Sequence, residues 1–169
     1  MLKPIAGRVA VVTGGSRGIG RGIARTLARN GVKVLIAARG AETARGVVDE
    51  IRSAGGTAEM VVADVSVPDD ADRIANAAVE HFGGIDILCS NAGVFPPKKL
   101  RDLTAAETDE VFNINLRGTQ LVVNAGLQAL EKIGHGRASM TSPDPRPGPR
   151  PTGLEHSRSR QADAAGSPP

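Results

Sequence analysis

Short apolar runs alternate along the chain with longer stretches in which apolar residues return every third or fourth position. Residues 8–13 have the continuous β-branched character of a strand buried on both faces, as a parallel sheet requires. Residues 18–30 follow with Ile19, Ile23, Ala24 and Leu27 on one helical face, and Asn30-Gly31 is a helix stop. The same alternation predicts strands over 32–38, 58–63 and 85–90, and helices over 41–54 and 68–82 closed by Gly55-Gly56 and Gly83-Gly84. A loop containing Pro96-Pro97 leads into a long helical region over 104–133, where Thr104 and Glu107 have the spacing of a capping box. One more short strand is predicted over 137–141. Strands and helices alternating at these lengths imply βαβ units with right-handed crossovers. The expected fold class is therefore α/β, a doubly wound parallel sheet in three α/β/α layers, incomplete at the C-terminus.

Beyond Gly134 the pattern is lost. Seven of the eleven prolines fall there, most of them between Pro143 and Pro151, and the final stretch adds Ser, Arg, Ala and Gly with hardly any apolar residue. Such a composition sustains neither helix nor sheet ladders. The expected division is a domain over 1–141 and a disordered Pro/Arg/Ser-rich tail over 142–169. Charge follows the same boundary. Five arginines against Asp144, Glu155 and Asp163 give the segment after Gly134 +2 of the chain's +3, so the part before it is nearly neutral.

These features exclude several classes of function. There is no Trp, no Tyr and only three Phe, so the stacking platforms of a nucleic-acid-binding protein are missing. No stretch approaches the roughly 18 apolar residues of a membrane span, and residues 1–7 lack a signal core. Cys89 is the only cysteine; it precludes an internal disulfide and lies in an apolar run where a buried filler is expected. A cytoplasmic protein is the expectation. The three histidines are scattered, and no cluster of metal ligands appears.

The chemistry begins where the first strand ends. Gly14, Gly18 and Gly20 let the backbone turn sharply, and the helix that opens at Gly18 turns unpaired N–H groups and its positive dipole end toward the same place. Strand, glycine turn and helix N-terminus form an anion cradle suited to the pyrophosphate of a dinucleotide. A P-loop would need Lys-Ser or Lys-Thr after the last glycine, and Arg21-Gly22 stands there instead. Arg39 ends the second strand, where an acid would bind a ribose 2′-hydroxyl and an arginine suits a 2′-phosphate; Arg17 offers a second positive charge. The cofactor inferred is NADP in preference to NAD. Asp64-Val65 puts a carboxylate at the same sheet edge, within reach of an adenine amino group. Asn91-Ala92-Gly93 follows the fourth strand, where small residues let backbone pass close to a cofactor. Asn115 interrupts an otherwise apolar helical segment, either satisfied locally or placed for a site.

Thr13-Gly14-Gly15-Ser16-Arg17-Gly18-Ile19-Gly20, Asp64-Val65, Ser90-Asn91-Ala92-Gly93 and Asn113-Ile114-Asn115 together resemble the short-chain dehydrogenase/reductase family, most closely its 3-oxoacyl-acyl-carrier-protein reductase-like branch. The resemblance covers about residues 5–141. It implies a Rossmann fold, a nicotinamide dinucleotide, hydride transfer between an alcohol and a carbonyl of a small molecule, and a homo-oligomer. It also assigns Gly14, Ser16, Arg17, Gly18, Ile19 and Gly20 to the glycine loop, Asp64 to adenine, Asn91 to the cofactor flank and Asn115 to the proton relay. The family's serine, tyrosine and lysine are another matter. Aligned through His135-Gly136-Arg137, their positions fall on Pro143 (beside Ser142), Ser157 and Gln161. No tyrosine exists anywhere in the sequence, and a serine hydroxyl cannot stand in for a phenol whose pKa is about 10. Family members are also longer. Motif, periodicity and length all depart near Ala138, as expected of a reading-frame change at codons 138–143 and a truncated, inactive product.

Overall fold

The computed structural model of the chain describes residues 5–134 and 136–141. Strand β1 (Val9–Thr13) lies at the centre, and every one of its residues is buried. β2 (Lys33–Ala38) and β4 (Ile87–Ser90) pair with it on either side, β3 (Thr57–Val62) flanks β2, and β5 (Arg137–Met140) flanks β4. All four pairings are parallel, in the order β3-β2-β1-β4-β5. This is the doubly wound sheet that the alternation implies.

Alternate residues of the strands supply two cores. Ala10, Val12, Val34 and Ile36 pack under helices α1 (Gly18–Arg29) and α2 (Ala41–Ser53), together with Cys89. Val11, Leu35 and Leu88 face the other way, against α3 (Pro68–Phe82) and α5 (Gly118–Lys132). The helices thus cover both faces of the sheet. Left-handed glycines close α1 and α3 at Gly31 and Gly83, with φ of 76° and 88°.

Two local features differ from the expected elements. β4 starts at Ile87, not 85, because Asp86 turns its carboxylate onto β1: Val9 N–H donates to Asp86 Oδ2 at 2.8 Å. The expected continuous helix over 104–133 is broken into α4 (Ala105–Val111), a π-helical segment (Phe112–Arg117) and α5. The capping box at its start is present, with Thr104 and Glu107 exchanging side-chain-to-backbone hydrogen bonds. β5 forms the sheet edge as a short strand exposed along its whole length. The tail over 142–169, with Ser142, Pro143, Ser157 and Gln161, lies outside the described residues.

Candidate functional site

The chain leaves β1 toward β2 and β3, then returns to β4 on the other side. Connections on the two sides of β1 therefore diverge, opening a crevice beyond the C-terminal ends of β1 and β4, the place where doubly wound sheets take ligands. A cleft of about 820 Å³ occupies it. Gly14, Ser16, Arg17, Ile19, Arg39, Asp64, Val65, Asn91, Ala92, Gly93 and Asn115 line it. Of the candidate cofactor and relay residues, Gly18 and Gly20 are the two that do not line it, and both shape the turn that does.

Gly14 and Gly18 have φ of +64° and +53°, in the left-handed region that favours glycine. Gly20 is required for a different reason. A Cβ there would overlap the Gly14 carbonyl and lie 2.5 Å from Asn91 Nδ2. Only a glycine lets the first turn of α1 close on the β1 and β4 loops. That helix starts without a side-chain cap and with no acidic residue in its first turn, so its leading N–H groups and positive dipole end meet no internal anion.

A buried hydroxyl joins the two loops. Thr13 is 0% exposed, and its Oγ1 accepts hydrogen bonds of 3.0 Å from the N–H groups of both Asn91 and Ala92. Asn91 answers with its side chain, Nδ2 donating to the Thr13 carbonyl at 3.1 Å. The sequence marks Thr13 as the end of a strand and the head of the glycine motif; its partners lie in β4's loop, and no local signal points to them. Thr141, at the end of β5, donates its hydroxyl to Asn91 Oδ1 at 3.0 Å.

Asn115 sits in the π-helical segment, a geometry that commonly marks functional positions. Its amide grips the backbone of one residue: Oδ1 accepts from Val94 N–H, and Nδ2 donates to the Val94 carbonyl, both at 2.8 Å. Gly93 leaves room for this, since a Cβ there would lie 3.2 Å from Asn115 Oδ1. The loop after β4 is thus held from both ends.

At the far end of the cleft the register Ala38↔Val62 brings Arg39 beside Asp64, with Nη1 to Oδ2 at 3.7 Å. Asp64 Oδ1 accepts from both the hydroxyl and the amide of Ser66, at 2.7 and 2.9 Å. These two hydrogen bonds, led by the hydroxyl, hold its carboxyl below the usual range; partial burial opposes them and Arg39 assists. Val65 lines the cleft with its side chain largely buried, and Gly118 at the start of α5 packs on it. Burial raises the Cys89 thiol pKa, which leaves that side chain an unreactive part of the α1/α2 core. Among the described residues no group of three or more His, Cys, Asp or Glu could hold a metal, and no helix is long and apolar enough to cross a membrane.

The cleft thus offers the glycine turn and uncapped start of α1 at one place and a guanidinium beside a fixed carboxylate at another, with apolar walls at Ile19, Val94 and Ile114. That combination suits an elongated ligand carrying phosphates and flat rings.

Comparison with known proteins agrees. The family model for short chain dehydrogenases matches residues 8–143. A versicolorin reductase from Emericella nidulans is 43% identical over 137 residues, which cover 80% of this chain and 51% of the relative. A tetrahydroxynaphthalene reductase from Pyricularia oryzae is 43% identical over 128 residues, covering 75% and 45%. Among solved structures, a short chain dehydrogenase from Burkholderia cenocepacia in complex with NADP superposes with a TM-score of 0.70 at 39% identity, covering 76% of this chain and 53% of that one. An alcohol dehydrogenase from Thermococcus sibiricus complexed with 5-hydroxy-NADP gives a TM-score of 0.74 at 34% identity, covering 79% and 57%. The chain spans about half the length of the curated relatives it matches.

Proposed function

Because this chain belongs to the short chain dehydrogenase family, we propose that its cleft binds NADP(H) in the service of hydride transfer between an alcohol and a ketone or 3-oxoacyl group. The observation that carries the reading is the closure of α1 on the glycine turn at Gly20, with the uncapped start of that helix next to Ser16 and Arg17 on the cleft lining, a cradle for an anion. A cradle of that shape fits a pyrophosphate and has no room for a side chain.

The remaining residues fit the rest of the ligand. Ser16, Gly18 and Ile19 shape the loop over the pyrophosphate. Arg39, and Arg17 on the lining of the same cleft, supply positive charge for a 2′-phosphate, which supports NADP over NAD. Asp64 accepts from the adenine amino group, and Val65 seats the ring edge. Asn91, Ala92 and Gly93 bring backbone close to the nicotinamide end, and Asn115 holds that backbone in place. When bound, the nicotinamide supplies or receives the hydride.

A proton must accompany the hydride, and the 169 residues contain no tyrosine to deliver it. General acid–base catalysis is typically worth 10²–10⁴-fold. We therefore read residues 1–141 as a dinucleotide-binding unit that does not turn over by itself, followed by the Pro/Arg/Ser-rich segment. A reading-frame change near codon 138 accounts for the missing serine, tyrosine and lysine, and resequencing the locus tests it. Small carbonyl or alcohol substrates and a homo-oligomer follow from the family. The cytoplasm is the compartment assigned, where a lone thiol such as Cys89 stays reduced.

Titration of the purified chain with NADPH and NADH, read by nicotinamide fluorescence, tests the proposal. The expected result is saturable NADPH binding, weaker NADH binding and no ketone-dependent oxidation. Absence of binding to either dinucleotide overturns the assignment. Turnover at an ordinary enzymatic rate overturns the binding-only reading.

A further inference from the structure

We propose that Asp64 tempers the dinucleotide preference of the cleft by competing with a 2′-phosphate for the guanidinium of Arg39. The inference rests on the NADP(H) reading above and adds to it a residue that acts through another.

The two side chains differ in freedom. Asp64 is fixed: Ser66 donates to its Oδ1 through both amide and hydroxyl, and the Asp64 N–H is itself held by Asp70 Oδ2 at 2.7 Å. Only Oδ2 is left to face Arg39. Arg39 is 59% exposed, and Asp64 is its one ion-pair partner among the described residues. A mobile cation is therefore drawn to a stationary anion on the wall of the cleft.

A guanidinium presents a planar fork of donors that grips a carboxylate or a phosphate equally well. While it rests on Asp64, an incoming anion meets a pair with no net charge. A 2′-phosphate has to draw Arg39 off the carboxylate. A 2′-hydroxyl carries no charge and does not enter the contest. Asp64 thus weakens binding of the phosphorylated dinucleotide through Arg39, whereas any contact with the adenine amino group is common to both dinucleotides.

Direct binding of NADPH and NADH to the 169-residue chain separates these roles. Asp64→Asn keeps an acceptor for the Ser66 amide and removes the charge. It is expected to raise the ratio of NADPH to NADH affinity by about two- to fivefold, the scale of an exposed ion pair. The gain is expected to vanish when Arg39 is already alanine. Asp64→Ser gives the same reading if the amide variant does not fold. An equal fall in both affinities, with the ratio unchanged, overturns the proposal and leaves Asp64 as an adenine contact. A fall in the ratio also overturns it, because Asp64 would then be orienting Arg39 for the phosphate. A gain of undiminished size in the Arg39→Ala background would mean direct repulsion of the phosphate by Asp64, and overturns competition for Arg39. If the unaltered chain binds neither dinucleotide, the assigned function fails and takes this inference with it.

Discussion

Asn115 and Val94 pair as two residues of adjacent strands would, except that one partner is a side chain: the amide of Asn115 donates to and accepts from the backbone of the same residue, at 2.8 Å each way. One donor and one lone pair of the amide are committed to the Val94 backbone, so Asn115 acts on the cleft by holding the loop after β4. Asn115→Leu, close in size and without polar atoms, strands the Val94 N–H and carbonyl. A cost of about 1–3 kcal/mol is expected for such unsatisfied groups. Dinucleotide affinity is expected to fall about tenfold, a change worth about 1.4 kcal/mol. Isothermal titration with NADPH, alongside urea denaturation, checks both numbers.

Thr13 is the second joint, and its replacement separates size from hydrogen bonding. Thr13→Val keeps the shape but leaves the N–H groups of Asn91 and Ala92 without their acceptor. A loss of about 2 kcal/mol is expected, which lowers Tm by roughly 4–8 °C for a chain of this size. Thr13→Ser retains the hydroxyl and is expected to lose less than half as much. Hydrogen exchange at the Asn91 and Ala92 amides should quicken in the valine variant alone.

The contrast between Thr13 and the glycines shows what a sequence discloses. Val9–Val12 and the spaced apolar residues of α1 are written in local periodicity, so the layers of the fold could be read from them. Gly14, Arg39, Asp64 and Asn91 could be placed because each stands just after a strand, and parallel strands bring their ends to one edge. Partnerships across long separations left no such trace. The hydroxyl of Thr13 finds amides 78 and 79 positions away, and Asp86 borrows the first N–H of β1 from 77 positions away. The π-helical segment was hidden as well. Over Phe112–Arg117 its apolar spacing differs too little from that of an α-helix for periodicity to reveal the extra residue.

Two glycines of one helix are expected to respond in opposite directions. Gly20→Ala drives a methyl group into the Gly14 carbonyl and the Asn91 amide, with backbone on one side that cannot yield cheaply. A loss of about 3 kcal/mol, comparable to overpacking in a core, is expected, together with loss of NADPH binding. At Gly22 an added methyl group would meet nothing within 4 Å. There Gly22→Ala is expected to stabilise by about 0.5–1 kcal/mol through helix propensity and a less flexible unfolded chain. Thermal melts of the two variants, run side by side, decide the matter.

Glu107 gives the chain a pH signature. Its hydrogen bonds, first with Lys98 and then with the amide and hydroxyl of Thr104, lower its pKa to about 2. A group depressed on folding stabilises above its unfolded value, about 4.3, and loses that contribution as pH falls through its folded value. Glu107→Gln is therefore expected to be less stable than the unaltered chain by a constant margin above pH 5. The margin should shrink between pH 4 and pH 2 and close below it. Urea midpoints measured across that range check the sign, and a margin that widened in acid would refute it.

The π-helical stretch ahead of α5 makes chain length there a matter of phase. Each residue advances a helix by about 100°, so the extra one in this turn lets Asn115 point at Val94 while Val122, Gly126 and Leu130 still point into the core. Removing one residue between 112 and 117 would force a choice between those two aims, since no straight helix satisfies both. This turn keeps time for the elements on either side of it.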